Sequence, residues 1–100
     1  MITHIVFWRL NEHANGKSKQ ENALLMKEKL TGIAAQIKGI ISIDVGFSYN
    51  KTEEASDVAL VLVCENKEIL DSYDKHPEHQ AFKLWLKDVR YERRVVDFES

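Results

Sequence analysis

Two segments of this chain are apolar on both of their alternating faces, and they restrict its fold more than any other feature. In Ile2–Leu10, Ile2, Val6, Trp8 and Leu10 fall on one parity, and Ile5 and Phe7 fall on the other with Thr3 and Arg9. In Val58–Glu65, Val58, Leu60, Leu62 and Cys64 oppose Ala59, Val61 and Val63. Both runs are rich in β-branched and aromatic residues, the composition of strands. Side chains two apart share a strand face, so each run needs cover on both sides. A chain of 100 residues builds one domain, residues 1–100, around one modest core. The second cover must then come from another molecule.

The remaining elements follow from local signals. Asn11–Lys17 reads as a polar loop. Ser18 with Glu21 forms a capping box, in which each side chain satisfies a free backbone donor at the helix start. The helix it opens runs to about Lys38, with Ala23, Met26, Leu30, Ile33, Ala34 and Ile37 on one face. Gly39 is its stop. A second strand, Ile40–Ser48, sets Ile41, Ile43, Val45 and Phe47 against Ser42, Asp44, Gly46 and Ser48. A charged loop, Tyr49–Asp57, leads to the third strand. Asn66 caps a helix over Lys67 to about Lys75. His76 is pushed out of helical geometry by Pro77, and Pro77 suits the first turn of a helix running to about Val89. Tyr91–Glu99 is the last strand.

The order strand, helix, strand, strand, helix, strand predicts an α+β fold: a ferredoxin-like βαββαβ protomer with a four-stranded antiparallel sheet and its helices on one face. The face without helices carries the second apolar parity of the first and third strands. An uncovered surface of that kind marks an interface, which predicts a homodimer whose sheets pack face to face.

Charge and cysteine usage narrow the function classes. The formal net charge is −2, with acidic and basic residues interleaved, so there is no clustered Lys/Arg surface of the kind that nucleic acids or anionic membranes require. The one cysteine, Cys64, has no disulfide partner within the chain and sits in an apolar strand as a small buried hydrophobe. Neither a basic, then apolar leader nor a run of about 20 apolar residues appears. The expectation is a cytoplasmic protein.

Chemistry-bearing residues gather in one stretch, Tyr73-Asp74-Lys75-His76-Pro77-Glu78-His79, which contains the only proline. An imidazole exchanges a proton near neutral pH, and a tyrosine hydroxyl donates to a carbonyl that gains charge as an enolate forms. Tyr73 at the end of one helix and His79 at the start of the next can converge because Pro77 turns the chain between them. His4 shares a strand face with Val6 and Trp8 and can reach the same space. Tyr73 and His79 are therefore candidate catalytic residues, and His4, Val6, Trp8 and Trp85 are candidate ligand contacts. The competing reading makes Tyr73, Trp8 and Trp85 core residues and leaves both histidines to cap the helix break. A metal held by His76 and His79 with Glu78 or Asp97 offers only one close pair where zinc needs three or four ligands. Neither a metal nor a cofactor is expected.

The opening His4-Ile-Val-Phe-Trp-Arg-Leu strand, Gly46, Asp57-Val-Ala-Leu, the Tyr73-x-x-His76-Pro77-x-His79 block and the closing Arg94-Val-Val-Asp97-Phe together resemble the stress-responsive dimeric α+β barrel domain family, Dabb, over essentially the whole chain. The resemblance implies a ferredoxin-like protomer that dimerises through its sheets into a barrel. Some plant members are polyketide cyclases in which a tyrosine and a histidine of this block drive an aldol-type ring closure. By that resemblance Tyr73 and His79 match the pair, and His4 matches a pocket histidine. The first helix carries Leu24, Leu25 and Met26 where the cyclases place bulky aromatics, so the substrate does not carry over. Two functions follow as expectations. One is small-molecule binding between helices and sheet, with cyclase-like acid/base chemistry. The other is a non-catalytic, stress-associated structural or assembly role.

Overall fold

A computed structural model describes residues 1–100. Strand β1 (Ile2–Leu10) is followed by a short hairpin, β2 (His13–Ala14) and β3 (Lys17–Ser18), and then by helix α1 (Lys19–Ala34). Strands β4 (Ile40–Phe47) and β5 (Val58–Cys64) come next, then helices α2 (Lys67–Lys75) and α3 (Pro77–Val89), and strand β6 (Arg90–Glu99). The main sheet has the order β4-β5-β1-β6, and every neighbouring pair is antiparallel. This is the ferredoxin-like α+β arrangement that the element order predicts.

The helix-side face of β1 and β5 holds the centre of the core. Ile2, Val6, Trp8 and Leu10 are buried beside Val58, Leu60, Leu62 and Cys64. Met26, Leu30 and Ile33 of α1 and Phe82, Leu86 and Val89 of α3 close over them. The opposite face has no cover: Phe7, Val61, Val96 and Phe98 are exposed there. The β1–β6 register sets Ile5 opposite Val96 and Thr3 opposite Phe98, so these apolar side chains form one continuous surface.

Three local readings are corrected. First, the segment predicted as a loop contains the β2–β3 hairpin. Asn15 (φ 54°) and Gly16 (φ 73°) are both left-handed, the conformation of a two-residue type I′ turn, for which Asn-Gly is the preferred pair. The hairpin delivers Ser18 to its cap position: Ser18 Oγ accepts from Glu21 N, and Glu21 Oε1 accepts from Ser18 N at 3.0 Å. Second, α1 ends at Ala34 rather than Lys38. The N–H groups of Gln36 and Ile37 donate to carbonyls three residues back, so the chain tightens out of α-helical geometry before Gly39. Third, the β4–β5 register shifts between Ile40 and Ser42. The extra residue, Ile41, is left out of the alternation. Ile40, opposite Cys64, takes the core side, while Ile41 is exposed.

Gly39 sits at φ +102°, and a Cβ there would lie 2.7 Å from Ile69 Cδ1. Backbone strain and steric overlap act together at this position. Gly39→Ala is expected to destabilise the fold by about 2 kcal/mol or more, read as a lower urea midpoint at an unchanged m-value.

Candidate functional site

The Tyr73–His79 block is a helix break with each group fixed by local chemistry. His76 caps α3, with its Nδ1 accepting from Glu78 N at 3.1 Å. Its φ of −56° and ψ of 134° lie outside the helix, as expected for a residue before proline. The resulting bend turns both Tyr73 and His79 inward. Tyr73 is 1% exposed and His79 8%, and their ring centroids are 4.3 Å apart. His4, also 8% exposed, approaches Tyr73 edge-on from β1 at 6.2 Å.

These three residues surround a cavity of about 30 Å³ walled by Val6, Trp8, Phe82 and Arg93. Outside it lies an open cleft of about 340 Å³ between α2, the start of α3 and β6. His4, Tyr73, His79 and Arg93 line both spaces. The inner cavity has room for about one water-sized group, and the cleft is at the lower end of small-ligand sites.

Three polar atoms at this place are buried without a hydrogen-bond partner: Trp8 Nε1, Tyr73 Oη and His79 Nδ1. Buried polar groups are nearly always paired, and each one left unpaired costs about 1–3 kcal/mol. Here a donor, a hydroxyl and an imidazole nitrogen are unpartnered around one small void. That arrangement fits a small polar group, a water or part of a ligand, rather than a dry core.

Full-length comparison places the chain among known proteins. The profile of the Stress Responsive A/B Barrel Domain, Dabb, matches residues 2–100. The chain is a Dabb domain. Among solved structures, a dimeric protein of unknown function with a ferredoxin-like fold from Bacteroides fragilis NCTC 9343 is 29% identical; the match covers 99% of this chain and 95% of that one, with a TM-score of 0.85. A Dabb family protein with a ferredoxin-like fold from Mesorhizobium loti is 17% identical over 99% and 95% of the two chains, with a TM-score of 0.70. A protein described as an antibiotic biosynthesis monooxygenase is 12% identical over 100% and 98%, with a TM-score of 0.77, a likeness of fold alone. No curated protein matches the chain.

Not every candidate contact gathers at the cavity of this Dabb domain. Val6 and Trp8 line it, whereas Trp85 lies over a separate groove between α1 and α3. There Lys29 Nζ stands 5.0 Å from the Trp85 ring centroid. Two further residues belong to the site. Asp97 Oδ1 accepts a hydrogen bond from His4 Nδ1, which fixes the orientation of the His4 ring. Arg93 lies on the helix side of β6, opposite Trp8 in register. Strand parity groups Arg93, Val95 and Asp97 on one face, a signal available in the sequence. Which residues of β1 they oppose is not.

Burial raises the Tyr73 pKa well above the usual phenol range, an effect that Arg93 opposes. Desolvation, reinforced by Lys83, lowers the pKa of His79 to about 4. At neutral pH, Tyr73 is therefore a hydrogen-bond donor and His79 an uncharged imidazole. The folded-state value for His79 lies below the unfolded value of about 6.5. As pH falls from about 6.5 towards 4, the unfolded chain binds this proton first, and stability is lost. Wild type is expected to lose roughly 3 kcal/mol across that window through His79, and His79→Gln is expected to remove this slope. Urea melts of both proteins at intervals from pH 7 to 4 measure it.

Proposed function

We propose that this Dabb domain binds a small organic molecule carrying a carbonyl. The cleft receives the molecule, and the carbonyl enters the inner cavity. The observation that carries this reading is the set of three unpartnered buried atoms around one void. A carbonyl oxygen would accept from Tyr73 Oη and from the Trp8 indole, relieving the penalty of leaving those donors unpaired.

The same set supports acid/base chemistry of the enolisation type, as in cyclase-like ring closure. Tyr73 donates to the carbonyl oxygen as negative charge develops, and His79 takes the proton from the neighbouring carbon. His79 holds a proton weakly in the free protein. Developing negative charge beside it favours the imidazolium and raises its basicity during the reaction. His4, oriented by Asp97, holds the ligand in place beside the Tyr73–His79 pair. Wild type is expected to accelerate exchange of the α-hydrogens of acetophenone for deuterium, followed by NMR in D2O. His79→Gln should reduce the acceleration by about 10²–10⁴-fold, and Tyr73→Phe should weaken both ketone binding and exchange. Ketone binding without exchange would leave a binding protein. No ketone binding at millimolar concentration would favour the structural and assembly role, for which the small inner volume speaks.

The protein acts as a homodimer joined through its sheet faces. The exposed Phe7, Val61, Val96 and Phe98 supply the apolar surface, and the Bacteroides fragilis relative is described as dimeric. Sedimentation at micromolar concentration should give a dimer. Val61→Glu, which places a charge within that face, should yield folded monomer. A wild-type monomer would overturn the assignment.

A further inference from the structure

We infer that the cleft selects an anion: a small organic carboxylate whose carboxylate sits on Arg93 while its carbonyl reaches Tyr73. This rests on the reading of the cleft as a ligand site and adds the substrate class to it.

The argument comes from which charges in the cleft are already engaged. Three carboxylates line it, those of Asp71, Asp74 and Asp97, and each has a partner within the protein. Asp71 pairs with Lys75 at 3.0 Å, Asp74 with Lys83, and Asp97 with His4. Two cations line the same cleft, Lys67 and Arg93, and neither is in an ion pair or a side-chain hydrogen bond in the folded chain: the ion pairs are formed by other residues. Lys75 and Lys83 neutralise Asp71 and Asp74, and even with the Asp97 charge counted in full beside the His4 imidazole, the two unpaired cations outnumber it, so the charge left for a ligand is positive although the protein as a whole is negative by two.

Position makes Arg93 the more informative of the two. It lines the inner cavity as well as the cleft, and it is exposed, so this side chain borders both spaces and remains open to solvent. Its neighbour in the β1 register is Trp8, one of the unpartnered donors. Its positive field reaches Tyr73, His79 and the Asp74 carboxylate, though Asp74 makes its ion pair with Lys83. A guanidinium presents parallel N–H groups that match a carboxylate in a two-point contact. A ligand anchored there has its neighbouring carbons directed at the void. Lys67, at the start of α2, adds a point charge at the outer end. The same cations would stabilise an enolate once formed, so one feature serves recognition and chemistry.

The test compares acids with their neutral amides. Phenylpyruvate and 3-benzoylpropionate each carry a carboxylate and a carbonyl at different spacings, and the corresponding amides keep the carbonyl without the charge. Calorimetric titration of wild type should show at least one acid binding tenfold or more tighter than its amide, with affinity falling as salt is raised. Arg93→Gln should remove that preference by weakening the acid about tenfold and leaving the amide unchanged. Arg93→Lys should restore part of it. The amide is also the control for an intact site, because it should still bind Arg93→Gln and lose affinity in Tyr73→Phe. Equal binding of acid and amide to wild type, unaltered by Arg93→Gln, would overturn the anion assignment while the ligand-site reading stands. Absence of binding by every probe to folded wild type would overturn both.

Discussion

The structure depends on the two-sided burial demand of β1. This strand lies between β5 and β6, so its backbone is paired along both edges and its side chains decide what each sheet face must meet. On the helix side, Val6, Trp8 and Leu10 are almost wholly buried and give α1 and α3 their docking surface. Burial of each such side chain contributes roughly 1.5–3 kcal/mol, which ties helix packing to the strand's alternation. A one-residue slip would send the whole set to the other face. On the far side, Ile5 and Phe7 continue into Val96 and Phe98 across the β1–β6 ladder, and this surface has no partner within the chain.

His4 is the one polar interruption of the buried parity of β1, and the site is built around it. A histidine in that row must be paired or must do work, since an isolated polar group in an apolar layer is destabilising. The antiparallel register solves this by setting Asp97 directly opposite His4. Tyr73 and His79 approach from the helix layer because Pro77 breaks the chain between α2 and α3. The void between sheet and helices is bounded by groups whose hydrogen-bonding capacity is only partly used. Tyr73 Oη, His79 Nδ1 and Trp8 Nε1 have no partner within the protein, so only a small polar group in the void can satisfy them.

The electrostatics of the cleft and the cavity work in opposite directions. Desolvation keeps His79 and Tyr73 uncharged inside. At the mouth, Lys75 and Lys83 neutralise Asp71 and Asp74, Asp97 is hydrogen-bonded to His4, and Arg93 and Lys67 stay outside any ion pair. The cleft thus carries two unpaired cations around an uncharged, donor-rich interior. Trp85, which the sequence made a candidate contact, belongs instead to the α1–α3 groove, where Phe82 separates it from the His79 side of the helix.

Much of the fold was legible in the chain itself because its signals are local. Period-two alternation marked the strands, the Ser18–Glu21 box and Asn66 marked helix starts, and Pro77 marked the break. Two apolar parities on β1 and β5 were enough to require a second cover. The Asn15-Gly16 turn is an equally local signal, since both residues are left-handed and Asn-Gly favours that turn. The bulge at Ile41 was not legible, since an extra residue is defined only against the strand it pairs with. The site divides the same way. Sequence brought Tyr73 and His79 together, six positions apart across one bend. The contact between His4 and Asp97 spans 93 positions and exists only through strand register. The freedom of Arg93 depends on where every nearby carboxylate finds its partner. Proximity along the chain is written in the sequence; register and the pairing of charges are decided when distant segments meet.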